Sequence, residues 1–180
     1  MKRKALLLLL ALAVALAFSA CGDSGSGSSD TASDEPAAEE KAETPAKAET
    51  YGVGDTWTVD GKFSVTINSI TATDERNEFY DGEEPAEVVI IDYTYNNIGY
   101  ENEIMDGLFV DFDKVMDNDG NMCQTYPANL NKYAQATPVG GTCNAEEAYA
   151  LKVAGGTVTV VISLYDDDYN EYKATFELTR

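Results

Sequence analysis

Glu87-Val88-Val89-Ile90-Ile91-Asp92-Tyr93-Thr94-Tyr95 carries β-branched or aromatic residues at seven of its nine positions. Its first half is apolar on both parities, which is the pattern of a central strand covered on both faces. Its second half alternates, as a strand does when one face turns to water. Outward from it, the same period of two recurs. Trp57 and Val59 alternate with Thr56, Thr58 and Asp60, and Phe63, Val65 and Ile67 alternate with Ser64, Thr66 and Asn68. Leu108, Val110 and Phe112 follow, then Cys143 to Val153, Thr157 to Tyr165, and Tyr172, Ala174, Phe176 and Leu178. Turn chemistry separates these runs at Asp81-Gly82, Asn96-Asn97, Asp119-Gly120, Gly140-Gly141, Gly155-Gly156 and Asp166–Asn170. No stretch of this region shows the 3.6-residue period of a helix. Residues 51–180 are therefore expected to form an all-β domain, an immunoglobulin-like antiparallel β-sandwich of seven or eight strands.

Upstream of Tyr51 the composition changes abruptly. Residues 22–50 contain no aromatic residue and no Val, Ile, Leu or Met. Such a stretch has too little apolar surface to offset its ordering entropy, so residues 21–50 are expected to form a disordered acidic linker. As a flexible coil it would reach roughly 30 Å. Residues 1–20 read as a signal peptide. Lys2, Arg3 and Lys4 precede an apolar run from Ala5 to Phe18, too short for the ~20 residues that span a bilayer. The run ends in Phe18-Ser19-Ala20-Cys21, which resembles a bacterial lipobox. That resemblance implies a diacylglycerol on Cys21, and two acyl chains suffice for stable anchoring. The expectation is a chain held on the extracellular face of the cell membrane, facing protein or cell-wall partners. An exported chain also favours disulfides, and with Cys21 acylated, Cys123 and Cys143 remain as the expected pair.

The chain carries 12 Lys and Arg against 32 Asp and Glu, a formal charge of −20. That charge repels phosphate backbones, so a nucleic-acid partner is not expected. The sequence contains no His, which removes the commonest neutral-pH base and zinc ligand and leaves no hydrolase triad. No catalytic residue is assigned, and the domain is expected to bind rather than catalyse. The acids instead suggest an alternative, a calcium-dependent adhesion or solute-binding module. Asp117, Asp119, Asp166 and Asp168 lie on two loops and offer the hard oxygen ligands that Ca²⁺ requires. An EF-hand is excluded, because Val115 and Tyr126 would fall at its first and twelfth positions. The competing reading makes Asp119-Gly120 a hairpin turn. Otherwise no cofactor is expected. Tyr126 and Tyr133, in a Pro-containing segment without strand pattern, are candidate binding residues, since Tyr joins an apolar body to a polar tip.

Three stretches also carry a resemblance: Tyr51-Gly-Val-Gly-Asp-Thr, the run from Val88 to Gly99, and Asp117-Asn-Asp-Gly-Asn121. Together they resemble a family of immunoglobulin-like lipoprotein domains of unknown function from Gram-positive bacteria. That family is related in fold to the mycobacterial immunoprotective extracellular antigen. The resemblance implies the sandwich fold over residues 51–180 and supplies no catalytic residue.

Overall fold

The computed structural model describes residues 49–180. The expected signal peptide, Cys21 and the expected linker up to residue 48 lie outside the described residues. Nine strands follow in order: β1 (Thr50–Tyr51), β2 (Thr56–Val59), β3 (Phe63–Thr73), β4 (Glu87–Asn97), β5 (Lys114–Met116), β6 (Gln124–Thr125), β7 (Thr142–Leu151), β8 (Thr157–Tyr165) and β9 (Glu171–Thr179). They form two sheets, ordered β1-β9-β8-β5 and β2-β3-β4-β7-β6. Pairing is antiparallel except for the short parallel contact of β1 with β9. The all-β sandwich expected from the alternating runs is therefore present. It has nine strands where seven or eight were expected, because two short strands, β1 and β6, add to the edges of the sheets.

The core lies between the sheets. Trp57, Phe63, Val65, Ile67, Val89, Ile91, Tyr93, Tyr95 and Leu151 come from the larger sheet. Val158, Val160, Ile162, Leu164, Phe176 and Leu178 answer them from the smaller one. Each such side chain contributes roughly 1.5–3 kcal/mol by leaving water. β4 lies between β3 and β7 and is covered on its other face too. There Val88 packs with Tyr126, Ala148 and Ala150, beside the half-buried Tyr80, Ile90, Ala128 and Leu130. That second layer is why its first half is apolar on both parities.

The motif that opens the domain, Tyr51-Gly-Val-Gly-Asp-Thr, is the point where the chain leaves the smaller sheet and enters the larger. Gly54 has φ of 87° and donates its N–H to Ile67 O, and the Asp55 carboxylate accepts from Gly52 N at 2.8 Å.

Two expectations are corrected. Leu108, Val110 and Phe112 are buried as their alternation implies, but they do not form a ladder. Leu108 makes one bridge to Thr137, and pairing resumes only at β5. This segment crosses from the larger sheet to the smaller, and the Val110 carbonyl is satisfied by the Tyr93 hydroxyl at 3.0 Å. The second correction concerns Cys123 and Cys143, which are free thiols rather than a bridge. Cys123 adjoins Gln124, which pairs with Ala150, seven residues along β7 from Cys143. Seven strand residues span roughly 23 Å, several times the reach of a disulfide.

Candidate functional site

Three loops meet at one end of the sandwich: residues 98–107 after β4, 137–141 before β7, and 166–170 between β8 and β9. Asn97, at the end of β4, joins the first two. It is buried, its amide donates to Tyr100 O at 2.9 Å and Thr137 O at 2.8 Å, and its side-chain oxygen accepts from Tyr100 N. Its backbone pairs with Gly140 and Gly141. Tyr100 then ties in the third loop by donating its hydroxyl to Tyr165 O at 2.5 Å. Asn102 donates to the same carbonyl, and Glu103 N donates to the Asp167 carboxylate at 3.2 Å. Gly107 has φ of 124°, and a Cβ there would meet Thr137 O at 2.4 Å. Asp106 and Tyr169, the non-glycine residues with positive φ among the described residues, both lie in this loop set. Left-handed conformations cost free energy for residues with side chains and persist where the surroundings hold them.

The outcome is a fixed scaffold that presents apolar side chains to solvent. Ile104 is 90% exposed and Tyr169 88%, and Ile98, Met105 and Val139 are exposed beside them. A cleft of about 400 Å³ opens between the loops, lined by Tyr100, Asn102, Glu101, Glu103, Asp106, Gly107, Pro138, Val139 and Asp167. Sequence reading missed this site. Its signal is Ile104-Met105 between acids, an apolar pair outside any strand period.

The candidate calcium ligands are distributed differently. Asp117 and Asp166 begin two turns of one design. The Asp117 carboxylate accepts from Asp119 N, Asn121 N, the Asn121 amide and Val153 N. Asp166 accepts from Asp168 N, Asn170 N and the Asn170 amide, and in addition from Tyr172 OH at 2.7 Å and Lys62 Nζ at 3.3 Å. Burial pushes the Asp117 carboxyl up, but the Asn121, Asp119 and Val153 donors outweigh it and hold the group below its ordinary value. The Tyr172 hydroxyl, aided by Asn170 and Lys62 against some desolvation, holds Asp166 far below the usual carboxylate range. Asp119 and Asp168 point to solvent from the two turns. The turns lie at opposite ends of β8, roughly 25 Å apart, so the four carboxylates do not converge. Among the described residues, no three Asp, Glu or Cys side chains are placed to share one metal ion.

The two tyrosines are separated as well. Tyr126 is buried under the outer layer, its ring 4.8 Å from that of Tyr80 and its hydroxyl accepting from Asn77 N at 2.5 Å. It is a packing residue, because the larger sheet carries a second apolar layer on its outer face. Tyr133 is exposed, and its hydroxyl donates to Leu130 O at 3.0 Å.

Two further polar groups stand out. On the outer face, a β-bulge between Ile67 and Ser69 redirects Asn68, which donates to Asp92 and Thr94. Asn144 and Lys132 reach the same Asp92 carboxylate, and Lys132 also lies 3.6 Å from Glu146. This cluster pins the Pro-containing segment to the sheet. On the inner face, Glu147 accepts from Tyr93 OH at 2.8 Å and Tyr149 OH at 2.5 Å. Burial pushes its carboxyl up; the two Tyr donors pull it partly back, and Asp111 pushes it further.

No family model matches the chain, and no curated protein does. Solved structures similar to it include the yjhA protein from Bacillus subtilis, at 15% identity and TM-score 0.47, covering 71% of this chain and 98% of that one. The secreted protein MPT63 from Mycobacterium tuberculosis is similar at 11% identity and TM-score 0.45, covering 75% and 99%. An uncharacterized β-sandwich protein from Clostridium difficile 630 is similar at 14% identity and TM-score 0.42, covering 75% and 98%. The β-sandwich assignment rests on the chain's own two sheets.

Proposed function

We propose that this chain is an exported lipoprotein of the Gram-positive immunoglobulin-like kind, anchored through diacylglycerol on Cys21, whose sandwich binds an extracellular partner without catalysing a reaction. The observation that carries the binding role is the loop end, where a hydrogen-bonded scaffold holds Ile104 and Tyr169 out in water. Exposed apolar side chains on an ordered loop set are a recognition surface in the making, since they cost solvation until a partner covers them. The anchor rests on the lipobox-like Phe18-Ser19-Ala20-Cys21 and the basic and apolar segments ahead of it.

Two measurements test this reading. Cells expressing the full chain are grown with labelled palmitate; label is expected on the wild type and lost in Cys21→Ser. An unlabelled wild-type chain refutes the anchor. Next, a photoreactive amino acid is placed at position 104, and at Thr58 on the exposed edge of β2 as a control. A discrete adduct on intact cells is expected at position 104 alone. Equal adducts at both positions refute the loop end as the binding surface, and turnover of a glycan or peptide panel by the purified chain refutes the non-enzymatic role.

A further inference from the structure

We propose that the loop end docks a basic polypeptide segment, whose Lys and Arg side chains meet the carboxylates of the cleft while an apolar side chain packs on Ile104. This rests on the binding role proposed above and names its partner class. Glu101, Glu103, Asp106 and Asp167 line the cleft, and no Lys or Arg joins them. Lys62, the base nearest this end in the hydrogen-bond network, is committed to Asp166. The lining is therefore of one sign.

The spacing of those acids decides what kind of cation they suit. They are not gathered as a metal site, since no three such ligands converge among the described residues. Separated carboxylates around a groove match separated cationic groups on an extended ligand. The neighbouring Ile104, Met105, Val139 and Tyr169 supply apolar contact that a bare cation does not use. A Lys or Arg side chain supplies both at once, with an apolar stem and a charged head. Anionic headgroups and phosphate polymers meet like charge here. Complementary charge of this kind steers encounter and falls off with salt.

The whole chain is acidic, so the test must separate a local site from a general field. The mature full-length chain is titrated with a fluorescent peptide alternating Lys and Leu, and with its Glu–Leu counterpart. A loop-end triple variant, Glu103→Gln, Asp106→Asn and Asp167→Asn, is compared with a control triple, Glu78→Gln, Asp81→Asn and Glu84→Gln. Both remove the same charge, all six positions are exposed, and Asp167→Asn keeps an acceptor for Glu103 N. The Lys–Leu peptide is expected to bind, and the loop-end triple to weaken it by at least roughly tenfold, with the control changing it less than about twofold. Ile104→Ala is expected to weaken it by roughly tenfold as well. Equal weakening by the two triples, binding of the Glu–Leu peptide, or equal competition by spermidine overturns the inference. A non-basic partner crosslinked at position 104 also overturns it while leaving the binding role standing.

Discussion

Asp117 and Asp166 hold the same position in two copies of one turn. Each carboxylate caps the N–H groups two and four residues on and clamps the Asn at the fourth position, at Asn121 and Asn170. A residue with positive φ, Gly120 at 79° and Tyr169 at 62°, completes each turn. Side-chain caps of this type compete well with backbone pairing, which is why Asp and Asn favour turns. The carboxylates are therefore spent on structure. Asp117→Ala should strand several half-buried donors and cost about 2 kcal/mol in urea unfolding. Asp166→Asn should lower the midpoint too, and should also flatten its acid dependence. Its folded value is depressed, so its contribution is present above the ordinary carboxylate value of 3.8 and is lost as pH falls below it. A stability profile of Asp166→Asn as steep as the wild type from about pH 4 downward would contradict this.

Glu147 should act in the opposite direction. Its folded value is raised above the ordinary 4.5, chiefly by burial, so its favourable contribution is full below the unfolded value. That contribution is lost as pH rises through the folded value. Glu147→Gln keeps an acceptor for one Tyr hydroxyl and removes the titration. The difference in melting temperature between Glu147→Gln and wild type should therefore shift in favour of the variant from acid to neutral pH. A difference independent of pH would show that the carboxyl titrates normally.

Gly107 separates the shape of the loop end from its surface chemistry. A Cβ at this position meets the Thr137 carbonyl, and the φ of 124° is one that side-chain residues rarely adopt. Gly107→Ala should destabilise by about 2–4 kcal/mol, a size reached when strain and a backbone clash combine. Proteolysis of the variant should open residues 98–107 first. A variant as stable as wild type would mean that these loops are not held as described.

The thiols offer a direct check on topology. Cys123 is half-buried, and burial, aided by Asp117, pushes its thiol up to about 11. Alkylation at pH 8 in the folded chain should be slow there, since thiolate is the reactive form. In denaturant both Cys123 and Cys143 should alkylate fully without a reducing agent. Protection of both under those conditions would show a bridge instead.

Tyr126 holds the outer layer through one hydroxyl. Tyr126→Phe removes the acceptor for Asn77 N, and should cost about 1 kcal/mol and speed hydrogen exchange in residues 74–82. Unchanged exchange there would show that ring packing with Tyr80 alone holds the segment.

The class of the domain was legible in the order of residues alone. Alternation over Trp57–Ile67, Glu87–Tyr95 and Thr157–Tyr165 follows from the two-residue period of a strand, and a period is local. It also marked β4 as covered on both faces, and placed turns at Gly120 and Asp166–Asn170. Pairing was left to the tertiary structure. Which end of β7 meets Gln124 depends on contacts between residues far apart in sequence, and that register leaves Cys123 beside one end of β7 while Cys143 lies at the other. The loop end was hidden for the same reason. Ile104, Val139 and Tyr169 come from three separate turns, which long-range hydrogen bonds such as those of Asn97 and Tyr100 bring to one place. Local chemistry fixes the elements; long-range packing decides which of their side chains meet.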